Sequence, residues 1–166
     1  MKRTLQVVAL LLVAMLCFYV WKRLHPSDQE VIAERVASLA ERVSKPEGEG
    51  NAAMALKMNA LPGLFTDTFV VDLRDFPFNG EHSATEMTSE VARARAMFSS
   101  IELTFYDVTV TLDGPATATA SFTARAQCSA QQAQGYNETR EMHCQLRKID
   151  GTWRFASFRE EAVLVR

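Results

Sequence analysis

The sequence has little of what usually marks a metal, nucleotide or nucleic-acid site. It contains three cysteines in 166 residues, which are too few for a disulfide scaffold and lack the close Cys/His spacing of a zinc site. No glycine-rich phosphate loop or nucleophile elbow occurs. The formal net charge is only −2, and the basic clusters are short. We therefore expect no metal, no cofactor and no nucleic-acid partner.

Charge is also missing from residues 4–21, near the N-terminus. As a helix this stretch would span roughly 27 Å, close to the apolar thickness of a bilayer. Lys2 and Arg3 precede it, Lys22 and Arg23 follow it, and the balance of these charges favours an inside N-terminus. We predict that residues 1–25 form a single-pass transmembrane anchor in a bacterial inner membrane. The domain that follows, residues 26–166, would then lie in the periplasm.

Two alternatives compete with this uncleaved anchor. A cleaved signal peptide has a shorter apolar core than this one, and no small-x-small site closes the stretch here. A lipoprotein would carry its lipid on Cys17, but the bulky Leu16 stands where a small residue should precede it. The signal anchor, with the lipid bilayer as a partner of residues 4–21, is the interpretation that fits best.

Three helices are predicted after the anchor. Ser27 with Glu30 and Ser83 with Glu86 are spaced as capping boxes, which begin helices. A shorter helix is expected over residues 52–61, before Pro62 and Gly63. Both capped helices continue with an apolar stripe at helical spacing. The stripes are Ile32, Val36, Leu39 and Val43 in the first and Met87, Val91, Ala94 and Phe98 in the second. The first stripe could pack on a sheet or bind a partner.

From Ile101 onward apolar residues alternate with polar ones, which is typical of strands. The alternation changes phase between Phe105 and Val108, which predicts a β-bulge. Asp150 and Gly151 form a strong hairpin signal. The predicted strands are residues 64–73, 101–112, 116–128, 137–149 and 152–159. Helices followed by a run of antiparallel strands indicate an α+β fold.

Four segments together resemble the nuclear transport factor 2-like superfamily, also called SnoaL-like. They are Leu64–Leu73, Gly80 before the third helix, Ile101–Leu112 and Lys148–Phe155. The resemblance covers residues 27–166 and implies a cone, in which three helices pack on a strongly curved antiparallel sheet. It also implies a pocket inside the cone and frequent homodimers through the outer face of the sheet. This fold hosts enzymes, ligand-binding domains and interaction modules, so it carries little functional weight.

Enzymes of this fold place an Asp, His or Tyr inside the cone, where burial can make a carboxylate a base. Here the resemblance implies Asp72 and Tyr106 as catalytic candidates. Their alternatives are a strand-end carboxylate in solvent and a packed tyrosine. The predicted pocket-lining residues are Met54, Met58, Phe65, Asp72, Phe98 and Tyr106. Enzymatic activity is the less favoured expectation, because these candidates lack a recognisable orienting partner.

Cys128 and Cys144 flank residue 136 symmetrically. A hairpin centred there would place them opposite each other, close enough for a disulfide in an exported domain. The alternative is two small buried residues on separate strands.

A polar row on the strand 137–149 is the predicted contact surface. Its members are Thr139, Glu141, His143, Gln145 and Arg147. Together with the anchor, it predicts a non-enzymatic interaction domain, an accessory or assembly subunit of a membrane complex. Its partners would be membrane or periplasmic proteins, and the layout resembles the bitopic assembly subunit of type IV secretion channels. The alternative is small-molecule binding or lyase/isomerase chemistry in the cone pocket.

Overall fold

The computed structural model describes Met15, residues 26–129 and residues 135–161. The predicted anchor, including Cys17, therefore lies outside the described residues except for Met15. Within the described ranges, no helix combines the length and the apolar character that a membrane crossing requires.

The described helices are α1 (Asp28–Val43), α2 (Asn51–Ala60) and α3 (Ala84–Met97), with a 3-10 turn at Pro62–Leu64 after α2. α1 and α3 begin where the capping boxes predict, and α2 begins one residue before its predicted range without a side-chain cap. Glu30 accepts a hydrogen bond from the Ser27 N–H at 2.8 Å, and Glu86 accepts one from the Ser83 N–H at 2.7 Å. Three residues of the first apolar stripe, at positions 32, 36 and 39, are buried. That stripe therefore packs inside the domain.

The described strands form one six-stranded sheet in the order β2-β1-β6-β5-β4-β3. They are β1 (Phe65–Asp72), β2 (Gly80–Ser83), β3 (Ser100–Leu112), β4 (Thr117–Ser129), β5 (Tyr136–Ile149) and β6 (Thr152–Glu160). The α+β class and the arrangement of three helices on a curved sheet are confirmed. The prediction of a wholly antiparallel sheet is wrong at one place, because β1 pairs parallel with β6. β1 and β6 are neighbours in the sheet although four strands separate them in the sequence. β3, β4, β5 and β6, in contrast, are neighbours in the order in which they follow one another in the sequence.

The predicted bulge is present in β3. Its pairing with β4 shifts between Tyr106 and Thr109, and Asp107 adopts a φ of 55°. Asp tolerates this left-handed conformation better than a β-branched residue does. Before the bulge, Phe105 points inward and packs on Phe122 with ring centroids 4.4 Å apart. A bulge increases strand bending and twist, so it helps to curve the sheet.

The hairpin of β5 and β6 supplies the centre of the core. Trp153 and Phe155 are only 1% and 0% exposed. Asp28, at the start of α1, accepts hydrogen bonds from the Trp153 Nε1–H at 2.9 Å and from Lys148 Nζ at 2.7 Å. These bonds fix the beginning of α1 over the hairpin.

The C-terminal ends of α1 and α3 are held by each other's basic side chains. Arg95 is 1% exposed, and its Nη1 donates to the carbonyls of residues 42–44, at the end of α1. Its Nη2 pairs with Glu49. In return, Lys45 Nζ donates to the carbonyls of Arg95 and Phe98 at 2.7 Å each. These bonds satisfy carbonyls that a helix end leaves free.

The predicted bridge between Cys128 and Cys144 is wrong. The β4–β5 register pairs Cys128 with Tyr136 and Ala120 with Cys144, and both thiols are free. Cys144 lies eight positions beyond Tyr136 on β5, roughly 27 Å at about 3.4 Å per residue. The pairing is symmetric about residue 132 rather than residue 136.

Candidate functional site

A cavity of about 310 Å³ lies between the helices and the concave face of the sheet. Its size is at the lower end of the range for small-molecule sites, roughly 300–1,000 Å³. The apolar lining consists of Leu39, Val43, Phe65, Val71, Leu73, Phe76, Met87, Val91, Leu103, Phe105, Phe122, Ala124, Ala126, Met142 and Phe158. The remaining lining residues are Tyr136, Glu138 and Arg140, all on β5. The wall is therefore apolar except along one strand.

Small side chains on β4 leave this space open. The inward-facing residues of β4 begin with Ala118, Ala120 and Phe122, which are buried in the core. Ala124 and Ala126 follow on the same face and line the cavity. On β5 the residues facing them in the ladder are Arg140 and Glu138. The alternation of inward and outward residues along β5 therefore also places Glu138 and Arg140 in the cavity wall.

Glu138, Arg140 and Glu160 form a hydrogen-bonded group, here called the cavity-edge cluster. Arg140 Nε donates to Glu138 Oε1 at 2.7 Å, and its Nη1 donates to Glu160 Oε2 at 2.6 Å. Nη1 also donates to the Arg74 carbonyl at 2.7 Å, and Nη2 contacts Glu138 Oε1. The side chains of Arg140, Glu138 and Glu160 are 19%, 30% and 20% exposed. One guanidinium thus faces two carboxylates, so the cluster has a net charge of −1 when all three are ionised.

The charges of the cluster stabilise one another. Desolvation by burial alone would lower the pKa of Arg140, but hydrogen bonds and charges from Glu138 and Glu160 outweigh it and raise that pKa. The backbone N–H of Arg74, followed by the charge and hydrogen bond of Arg140, holds the pKa of Glu160 below its usual value despite burial. At neutral pH Arg140 and Glu160 are therefore both charged.

The structure brings only one of the six predicted pocket residues to the cavity, namely Phe65. Asp72 is exposed because it alternates with the buried Phe69 and Val71 on β1, and it lines a separate polar groove. Tyr106 is 46% exposed. It adjoins the inward-facing Phe105, so it points to the opposite side of β3.

The other three predicted pocket residues lie on or beside the helices. Met54 on α2 is 37% exposed, Met58 packs against the core from α2, and Phe98 lies at the end of α3. None of the three lines the cavity. Sequence reasoning missed Glu138 and Arg140, although their shared parity with the apolar Met142 on the same strand could have indicated them.

The polar row on β5 lies on the opposite face of the sheet. His143 is half-buried, whereas Thr139, Glu141, Gln145 and Arg147 are exposed. One ring nitrogen of His143, Nδ1, lies 2.8 Å from Ser121 Oγ, and the other, Nε2, lies 3.2 Å from Glu161 Oε2.

A serine, an imidazole and a carboxylate in this order resemble a nucleophilic triad. However, Asp107 and Glu141 line the same groove. Two further carboxylates disfavour the negative oxygen that acyl transfer develops. We therefore interpret the contacts of His143 as surface hydrogen bonding.

The concave sheet, the covering helices and the internal cavity define a cone-shaped α+β domain. A model of the SnoaL-like domain family matches residues 55–159. The chain therefore belongs to the SnoaL-like domain family, and the resemblance stated from the sequence is confirmed at this level. No curated protein matches the sequence significantly.

Solved structures with the same fold share little sequence with this chain. A putative aromatic ring hydroxylase from Novosphingobium aromaticivorans is 14% identical with a TM-score of 0.66, over 84% of this chain and 90% of that one. A putative scytalone dehydratase from the same species is 11% identical with a TM-score of 0.59, over 81% and 83%. The hexachlorocyclohexane dehydrochlorinase LinA-type3 from Novosphingobium barchaimii is 8% identical with a TM-score of 0.61, over 80% and 84%. These identities support a common fold and no more.

Proposed function

We propose that this protein binds a small, largely apolar molecule in the cavity between the helices and the sheet. The observation that carries the proposal is the cavity itself, with its almost wholly apolar wall and the charged residues of β5 at its edge. Small-molecule sites commonly combine an apolar wall with a few polar groups that fix the orientation of the ligand.

A lyase or isomerase reaction in the same cavity is the second candidate. Two of the similar structures are named as a dehydratase and a dehydrochlorinase. Such chemistry needs a group that accepts a proton from the ligand. Among the described lining residues, Glu138 carries the carboxylate, and Arg140 engages one of its oxygens. We place binding before catalysis because one oxygen of Glu138 is already engaged by Arg140.

The membrane-anchored interaction domain stays a prediction. The exposed polar row on β5 supports it, and the anchor it requires lies outside the described residues. The comparisons favour the cavity over this surface as the functional site.

The test of the proposal is binding of an uncharged fluorescent probe, N-phenyl-1-naphthylamine, to the purified full-length protein. Ala126→Phe would fill the cavity from its lining, and Ala116→Phe makes the same change at an exposed position. We expect saturable binding to the wild type and to Ala116→Phe. The Kd of Ala126→Phe should be at least about tenfold higher, a loss of about 1.4 kcal/mol. Equal binding by all three proteins would refute the proposal.

A further inference from the structure

We infer that the cavity selects an uncharged or positively charged amphiphile, whose polar end donates a hydrogen bond to Glu138, and discriminates against carboxylates. This inference rests on the proposed function and specifies the chemical class of the ligand. It depends on how the hydrogen-bonding capacity of the cavity-edge cluster is already used.

Arg140 has little capacity left for an anionic ligand. A guanidinium has five N–H groups. Three of them form hydrogen bonds, namely Nε–H to Glu138 and both Nη1 hydrogens to Glu160 and the Arg74 carbonyl, and Nη2 also contacts Glu138 Oε1. A ligand carboxylate could form the bidentate contact that arginine favours only by displacing one of the two protein carboxylates.

Glu138, in contrast to Arg140, has hydrogen-bonding capacity left for a ligand. Its Oε1 accepts a hydrogen bond from Arg140 Nε and contacts Nη2, and its Oε2 has no hydrogen-bond partner among the described residues. The side chain is 30% exposed and lines the cavity. An ionised carboxylate oxygen accepts hydrogen bonds and cannot donate them. The polar partner that suits this position is therefore a hydroxyl or an amine.

The surroundings of the cluster are also negatively charged. A polar groove next to the cavity shares Glu160 with the cluster and is lined by further charged residues. These are Asp72, Asp75, Glu161 and Arg74. With the cluster included, and without Glu161, whose carboxylate contacts His143 on the opposite face of the sheet, four carboxylates face two guanidiniums at this edge. A concave surface with one predominant sign of charge attracts the opposite charge and repels the same charge.

Four linear amphiphiles of similar chain length with different polar ends test the inference: 1-decanol, decylamine, decanoate and 1-methoxydecane. Each would compete with N-phenyl-1-naphthylamine on the full-length protein at about pH 7.5, where the amine is protonated and the carboxylate is ionised. We expect 1-decanol and decylamine to displace the probe at concentrations at least about tenfold lower than decanoate. The ether, which accepts but cannot donate, should bind about threefold to tenfold more weakly than 1-decanol, as expected for one lost hydrogen bond.

The variant Glu138→Gln assigns the selectivity to one side chain. It should weaken decylamine and strengthen decanoate, so that the affinity ratio between them falls by about tenfold or more. Glu141→Gln removes a carboxylate from the same strand on the opposite face, and it should leave the ratio unchanged. Should Glu138→Gln fail to fold, the ranking of the four compounds on the wild-type protein still decides the question.

The outcomes separate this inference from the proposed function. Decanoate binding as tightly as 1-decanol would overturn the inference and leave the binding function standing. An equal fall in the affinity ratio for both glutamine variants would also overturn it, because the selectivity would then not arise at the cavity. If the probe itself failed to bind the wild type, the proposed function would fail first.

Discussion

Arg95 shows at the scale of one residue how a buried charge can hold two helices together. Its guanidinium lies where α1 ends, and it belongs to α3. Desolvation by burial would raise the pKa of its partner Glu49, but hydrogen bonds and charges from Lys57 and Arg95 outweigh it and lower that pKa. The carboxylate of Glu49 is therefore ionised, and the bonds of Nη1 and Nη2 offset part of the cost of removing the pair from water, although Arg95 Nε has no partner among the described residues.

Replacing Arg95 by methionine should destabilise the protein by about 3 kcal/mol or more, the usual cost of breaking a buried ion pair. The reason is that the carbonyls of residues 42 and 43 would lose a partner at the end of α1, while Glu49 and the carbonyl of residue 44 would keep only Lys57. Urea denaturation followed by tryptophan fluorescence measures this loss. Arg93→Met is the matched control, since Arg93 lies on the same helix with 71% of its side chain exposed. We expect the control to change the free energy of unfolding by less than about 1 kcal/mol, and equal losses would contradict the role of Arg95.

The environment of Asp28 predicts that the free energy of unfolding depends on pH. Hydrogen bonds from Lys148 and then Trp153 lower the pKa of Asp28. A carboxyl with a lower pKa in the folded state stabilises the protein fully above its unfolded pKa, which is near 3.9. This contribution is lost as the pH falls through the folded pKa. Asp28→Asn should therefore lose less stability than the wild type between about pH 6 and about pH 2.

Denaturation curves collected across this pH range test the prediction. Asp67→Asn makes the same change at an exposed position of β1 and should keep the wild-type pH profile. Identical profiles for the wild type and Asp28→Asn would show that Asp28 contributes nothing to acid sensitivity.

At the scale of the elements, the β4–β5 register determines the state of two thiols. Cys144 is fully buried and Cys128 is partly exposed. Burial raises the pKa of both, strongly for Cys144. Because the thiolate is the reactive form, both should react slowly, and Cys144 more slowly than Cys128.

Alkylation of the native protein should therefore modify Cys128 before Cys144, as peptide mapping by mass spectrometry would show. In denaturant without reductant, both cysteines should be modified. Recovery of a disulfide-linked peptide containing both residues would contradict the β4–β5 register and support the bridge predicted from the sequence.

Most elements could be predicted from local signals, whereas register and cavity could not. The capping boxes at Ser27 and Ser83 and the turn at Asp150 act within a few residues, and each was confirmed. The sequence between β4 and β5 contains no such turn signal. The symmetry of the two cysteines therefore predicts a pairing centred on residue 136, four residues later than the observed centre at residue 132. The family resemblance implies that Asp72 lies in the cavity, but strict alternation on β1 turns it outward.

The cavity is a property of the whole molecule. Its lining comes from two helices and five strands and the residues beside them, and the space depends on Ala124 and Ala126 facing large residues from elsewhere in the chain. No single segment indicates such an arrangement. The family assignment therefore supports the fold, while the lining residues of this chain define its chemistry.

Ligand binding should stabilise the entire domain. At a free ligand concentration of about 100 times Kd, linkage adds about 2.7 kcal/mol to the free energy of unfolding. For a domain of this size we expect 1-decanol to raise Tm by about 5 °C or more. At the same ligand concentration, the shift measured by calorimetry should fall to about half or less in Ala126→Phe and be retained in Ala116→Phe. A shift of equal size in both variants would place the ligand outside the cavity.

The parallel pairing of β1 with β6 has a consequence for how the chain folds during synthesis. Phe65 on β1 faces Phe155 on β6, a residue made much later. Until the hairpin of β5 and β6 leaves the ribosome, the edge of β1 that pairs with β6 has no partner strand. Contacts between segments so far apart in the chain slow folding, and exposed apolar strands are prone to aggregate in the meantime. We therefore expect the nascent chain to depend on chaperones until β6 has been synthesised.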